Sequence, residues 1–174
     1  MRRRFSLLAV GGFAVASLLL IHAALAVEIT PPGGGFSVTF PIEPKPRPDP
    51  DPGPELRTTL WVASNDSYVY AAGYSDYAQR HDSKAELEAS LKNFLAAVKG
   101  HALSQKVGTV SRPGGPPLPA MQFSYAGDEL SGVALFIIED KRVYTAAGSI
   151  INDKDGDPAE IARFMKSFRL TAKR

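Results

Sequence analysis

Apolar positions along this chain alternate in several short stretches, run unbroken in one, and recur every three to four residues in two others. The unbroken run is Val133 to Ile138. Glu139, Asp140 and Lys141 interrupt it, and Val143, Tyr144, Ala146, Ala147 and Ile150 resume it. Short runs of β-branched and aromatic residues on either side of a few polar ones predict a hairpin over Glu129–Ile151. A strand that is apolar at consecutive positions is covered on both faces. The hairpin is therefore expected in the middle of a sheet with cover on each side. Glu139 to Arg142 read as its solvated turn.

Other stretches supply the rest of such a sheet. Phe36-Ser37-Val38-Thr39-Phe40 alternates as a half-buried strand that ends at Pro41. Glu55–Ala63 and Ser67–Ser75 form a second hairpin around Ser64-Asn65-Asp66-Ser67. If Ala63 faces Tyr68, then Trp61 faces Tyr70, Thr59 faces Ala72 and Arg57 faces Tyr74. Arg57, Trp61, Tyr70 and Tyr74 then share one face, with Leu60, Val62, Val69 and Ala71 on the other. His101–Val110 and Leu118–Tyr125 predict two more strands.

Two stretches have helical period. Ser83–Lys99 places Leu87, Leu91, Phe94, Leu95 and Val98 on one stripe, opens with a Ser83/Glu86 capping box and stops at Gly100. Asp157-Pro158-Ala159-Glu160 opens a last helix with Asp157 as N-cap and Pro158 at the first turn. Its buried stripe is Ile161, Phe164, Met165 and Phe168. The expected fold class is α+β. An antiparallel β-sheet of about six or seven strands is packed between α-helices, an α/β/α sandwich over residues 35–170 as a single domain.

The ends and one internal stretch stand outside this pattern. Arg2, Arg3 and Arg4 precede an apolar run from Phe5 to Ile21, and Ala24-Leu25-Ala26 puts small side chains at Ala24 and Ala26. Residues 1–26 thus read as a signal peptide cleaved after Ala26, and left uncleaved they would anchor the chain to a membrane. The expected location is periplasmic or secreted, by the Sec route ahead of the twin-arginine route that the three arginines also loosely fit. Residues 27–34 are expected to be flexible and 171–174 to form a basic tail. Between Pro41 and Pro54, proline at nearly every second position is expected to forbid helix and ladder pairing and to leave a stiff loop.

Charge and cysteine content narrow the function. The chain has 20 Lys+Arg and 18 Asp+Glu. Three of the arginines lie in the leader, so the remainder is close to neutral and carries no basic signature of nucleic-acid binding. There are no cysteines, which removes thiol catalysis, zinc–thiolate sites and disulfides. Beyond residue 26 the only histidines are His81 and His101, neither with a partner at ligand spacing. Asp153-Lys154-Asp155-Gly156-Asp157 resembles part of a calcium loop, but Ile151 and Ala162 stand where that loop needs Asp and Glu. No serine lies in a nucleophile-elbow sequence. Asn65-Asp66-Ser67 matches a glycosylation sequon, and a turn explains it equally. No cofactor and no metal is expected. The candidate ligand platform is the aromatic face of Arg57, Trp61, Tyr70 and Tyr74.

Gly35-Phe36-Ser37-Val38-Thr39-Phe40-Pro41 near the start and Ile161-Ala162-Arg163-Phe164-Met165-Lys166-Ser167-Phe168-Arg169-Leu170 near the end enclose a strand hairpin, a helix and strands ending in Arg142-Val143-Tyr144. This arrangement resembles small exported bacterial proteins of the PsbP-like superfamily, whose namesake is an extrinsic subunit of the oxygen-evolving photosystem. The resemblance spans roughly residues 35–170. It implies an antiparallel sheet with helices on both faces, and accessory or binding roles more than catalysis. Three functional readings follow: a non-catalytic accessory protein with a protein or small-molecule partner in the cell envelope, a binder of a small hydrophobic ligand between sheet and helix, and a hydrolase.

Overall fold

The computed structural model describes residues 26–48, 53–80, 82–152 and 154–172. Ala24, His81, Lys173 and Arg174 fall outside this set, as does most of the leader. Among the described residues the chain forms a seven-stranded antiparallel sheet, a separate three-stranded one and two helices. In the large sheet the order is β3 (Lys45–Pro48), β4 (Leu56–Ser64), β5 (Tyr68–Tyr77), β9 (Arg142–Ile151), β8 (Leu130–Glu139), β7 (Leu118–Ala126) and β6 (His101–Val110). The small sheet places β2 (Phe36–Phe40) between β1 (Val27–Ile29) and β10 (Arg169–Leu170). The helices are α1 (Ser83–Ala97) and α2 (Pro158–Ser167).

The central hairpin is β8–β9, joined by the two-residue turn Asp140-Lys141, with Asp140 in the left-handed region. Its two faces feed two cores. Phe136, Ile138, Val143 and Ala147 join Met121, Phe123 and Tyr125 beneath Leu87, Leu91 and Phe94 of α1 and Val98 at its C-cap. Ile137, Tyr144 and Ala146 face the other way, toward Ile161 and Phe164 of α2 and Phe36, Val38 and Phe40 of β2. The expected double cover is therefore present, but the second cover is mixed: α2 shares it with the small sheet. β2 does not join the main sheet. Its alternate residues Phe36, Val38 and Phe40 are fully buried against it.

Several local expectations are corrected. Val27–Ile29, within the segment expected to be flexible, is placed as strand β1 paired with Val38–Phe40. Lys45–Pro48 pairs with Thr59–Val62 as the edge strand β3, although it was expected to be loop. Alternate residues of an antiparallel edge strand turn their N–H and C=O outward. Prolines spaced by two, here Pro46 and Pro48, can all occupy those outward positions. The β4–β5 register lies two residues from the expected one, with Trp61 opposite Ala72, Ala63 opposite Tyr70 and Arg57 opposite Asp76. A turn centred one residue later, on Asp66-Ser67 instead of Asn65-Asp66, causes the slip. Asn65 N–H donates to Tyr68 O, while Asn65 Oδ1 accepts from the Ser67 and Tyr68 N–H groups. A shift of two leaves every side chain on its expected face.

The helix ends also differ from expectation at one point. α1 is capped by Asp82 rather than Ser83, with Asp82 Oδ1 accepting from Lys84 and Ala85 N–H. Glu86 is freed from a capping role and lies buried, where Ser90 donates to it. At the C-terminus Lys99 takes the left-handed position, and Gly100 N–H reaches Leu95 O, a Schellman closure. Gly100 is needed for space: a Cβ there would come within 2.5 Å of Ala126 O. α2 starts as expected, with Asp157 accepting from Ala159 N–H and Pro158 in the first turn.

Phe164 joins the layers on the α2 side, with ring centroids 5.1 Å from Phe40 and 5.0 Å from Tyr70. Phe164→Ala is expected to cost about 3–5 kcal/mol of unfolding free energy. Leu103→Ala, at a position 63% exposed, should cost under about 0.5 kcal/mol. Urea denaturation of both variants checks this, and equal losses would contradict the core assignment.

Candidate functional site

The aromatic face proposed from sequence does not form a ligand platform. Trp61, Tyr70 and Tyr74 do share a face, but that face is the floor of the α2-side core. Tyr70 is 1% exposed and lies between Tyr68 and Phe164. Trp61 meets the Phe36 ring edge-on at 6.0 Å. Arg57 sits apart, exposed near the start of β4. The reason is plain from the topology: α2 and β2 need an apolar sheet face to bury against, and this one is under them.

A different group of side chains lines a surface cleft. It measures about 740 Å³ and lies where the Thr30–Gly35 loop, the β8–β9 turn and residues 171–172 meet. Its chemistry comes from Asp76 at the end of β5, Arg112 in the loop after β6, Glu139 at the end of β8, and Arg142 and Tyr144 at the start of β9. A second cleft of about 460 Å³ adjoins it and shares Arg112, Glu139 and Asp140.

Arg112 is the centre of this group, with its side chain only 4% exposed. Nη2 donates to Glu139 Oε2 at 2.7 Å and to the Tyr144 hydroxyl at 2.6 Å. That hydroxyl donates in turn to Glu139 Oε2 at 2.9 Å. Nη1 donates to the Thr171 carbonyl, which ties the C-terminal strand segment to the sheet. Nε is buried without a hydrogen-bond partner. Glu139 was expected to be part of a solvated turn; its side chain is 12% exposed and ion-paired. A turn residue at the last strand position can point inward when a cation waits there, and the cation comes from a loop 27 residues upstream.

Arg142 makes the second clamp. Its fork grips Asp76, directly opposite on β5, with Nε to Oδ1 at 2.6 Å and Nη2 to Oδ2 at 2.7 Å. Nη1 donates to Gly33 O at 2.7 Å and Gly34 O at 3.3 Å. The guanidinium lies 4.0 Å over the Tyr74 ring. Asp76 holds the Arg142 guanidinium more firmly charged than usual, against an opposing effect of burial. The Gly33-Gly34-Gly35 run now has a purpose. Gly35 has φ +73°, and a Cβ there would lie 2.8 Å from the Tyr144 hydroxyl. Burial pushes the Tyr144 phenol above its ordinary range, and the hydrogen bond to Glu139 adds to this.

Chemically, the arrangement binds chain segments together. Each charged group at its centre is engaged by another, and the exposed groups around the rim are Arg80, Asp140 and Lys141. His101 lies exposed at the start of β6 and lines neither cleft. The five central residues escape sequence reasoning because they are scattered from position 76 to position 144. The unexplained glycine triplet and the charges closing β8 and opening β9 are the traces they leave.

No protein-family model matches the chain, and no curated protein matches it in sequence. Among solved structures it is similar to the cyanobacterial PsbP (CyanoP) of Synechocystis sp. PCC 6803. That likeness has a TM-score of 0.57 at 12% identity, over 94% of this chain and 98% of that one. The fold is PsbP-like.

Arg112→Met is expected to cost about 3–5 kcal/mol, because it leaves the Glu139 carboxylate buried without its cation. Arg112→Met with Glu139→Leu should recover much of that loss in urea denaturation; an equal or larger loss in the double variant would show that the pair is not what matters. Alkaline stability gives a second check. Burial raises the phenols of Tyr70, Tyr125 and Tyr144, Tyr70 to about 12. An unfolded tyrosine ionises near pH 10, about where the folded ones still hold their protons. Their contribution is thus complete below about pH 10 and is lost as the pH climbs through the folded values. Unfolding free energy should fall from about pH 10 to 12, and less steeply in Tyr70→Phe.

Proposed function

We propose that the chain is an exported, non-catalytic accessory protein of the cell envelope that acts by binding a protein partner. The observation that carries the reading is the engagement of the cleft's central groups. Asp76, Arg112, Glu139, Arg142 and Tyr144 bond to one another and to the backbone of three chain segments. These groups direct their hydrogen bonds to one another and to backbone carbonyls, which favours a structural over a catalytic role. The PsbP-like fold is in keeping with this, since the superfamily resemblance implies accessory roles. Export rests on the leader-like residues 1–26, after which Val27 opens β1.

The hydrophobic-ligand alternative loses its location on the aromatic face, because Phe36 of β2 packs on Trp61, Phe164 of α2 packs on Tyr70 and Arg142 covers Tyr74. The hydrolase alternative needs a serine or carboxylate beside His81 or His101 in a cleft; His101 lines neither of these two clefts, and His81 lies outside the described residues. The partner surface on this reading is the rim of the cleft, where Arg80, ion-paired with Asp140, and Lys141, which donates to Ala78 O, are exposed to solvent.

Affinity capture of the exported protein from its own envelope, with mass spectrometry for proteins and small molecules, tests this reading. A protein partner should be recovered, and its yield should fall several-fold with Arg80→Glu plus Lys141→Glu while circular dichroism is unchanged. Recovery of neither protein nor small molecule would sink the binding reading. Turnover of ester or peptide substrates by the purified protein would sink the non-catalytic one.

A further inference from the structure

The two edges of the large sheet are finished differently. β3 carries Pro46 and Pro48, which have no N–H to offer an incoming strand. β6, at the other edge, runs ten residues without a proline. Its Leu103 and Val107 are 63% and 67% exposed. α1 packs on β7 and β8, farther into the sheet. An edge of this kind is a template for another strand. The ladder to β7 is broken between Ala102 and Ser104 and regular from Ser104 to Val110.

We propose that β6 pairs antiparallel with β6 of a second copy of this chain, about a two-fold axis through Val107. A two-fold axis normal to the sheet keeps both faces matched only when it passes through a residue position. Centred on Val107, it sets Val107 against its own mate, Gln105 against Thr109, Lys106 against Gly108 and Ser104 against Val110. This uses the whole regular stretch and none of the bulge. Lys106, the one cation of the stretch, meets a glycine whose Cβ direction is open. Centring on Lys106 would set like charges face to face, which is destabilising. Centring on Gln105 would pull the bulged Leu103 into the ladder. Charge, the bulge and the length of the regular stretch thus select one register, since an axis at Gly108 or beyond pairs fewer of its residues, and it is self-complementary. The contact closes on itself, and the proline-bearing far edge offers no second one, so the product is a dimer rather than a fibre.

The chain has no cysteine, so Val107→Cys supplies a sole thiol. Opposed Cα atoms in an antiparallel ladder lie about 4.5–5.5 Å apart, within the roughly 4.4–6.8 Å span of a disulfide. Mild oxidation should convert Val107→Cys to a linked dimer about tenfold or more faster than Leu103→Cys, because the ladder raises the local thiol concentration. Sedimentation velocity of the unmodified protein should show a reversible, concentration-dependent dimer. Val107→Asp should abolish it with circular dichroism unchanged. A monomer at every concentration, equal cross-linking rates for the two cysteine variants, or a dimer that survives Val107→Asp would each overturn the proposal. A β6 edge that captures only a strand of another protein would overturn it as well.

Discussion

The structure depends on a hairpin that is apolar on both faces. β8 and β9 present Phe136, Ile138 and Val143 to one side and Ile137, Tyr144 and Ala146 to the other. Leaving either face in water would forgo about 1.5–3 kcal/mol for each large side chain, so the chain must supply two covers. It does so with unlike pieces. On one side a single helix brings Phe94 edge-on to Phe123, Tyr125 and Phe136. On the other, a shorter helix shares the work with three strands drawn from both ends of the fold.

That second cover creates the need for the charged clamps. β1, β2 and β10 belong to segments that are far apart in sequence and form only a small sheet of their own. Arg142 holds the loop before β2 through Gly33 and Gly34, and Arg112 holds Thr171 just after β10. A buried ion pair is by itself weak support for stability. Here each arginine also donates to backbone carbonyls of a segment that the sheet must recruit, so the pairs serve to place those segments. The same clamps define the cleft, which is why the cleft's centre is rigidly engaged and its rim is where a partner has groups to meet.

The helices, most strands and the both-faces burial of β8–β9 are legible from local pattern, because period and capping chemistry act over a few residues. The β4–β5 register differs by two from the expected one because Asn65 pairs with Tyr68 and centres the turn one residue later in the polar run. Asp82 rather than Ser83 caps α1 because its carboxylate reaches two N–H groups at once. The strand character of Lys45–Pro48 was hidden by its prolines, whose spacing of two suits an edge strand as well as a loop.

The sequence by itself determined the fold class, the two helices, the central hairpin and which side chains share a face, since each follows from the spacing of apolar residues along a few turns of chain. Only the tertiary structure decided what covers each face. It turned the aromatic platform of Trp61, Tyr70 and Tyr74 into a floor under α2 and β2. It also brought Asp76, Arg112, Glu139, Arg142 and Tyr144 together from four separate stretches. The physical reason is that burial and ion pairing depend on neighbours across the sheet. Spacing along the chain does not encode which loop delivers a cation to the end of β8.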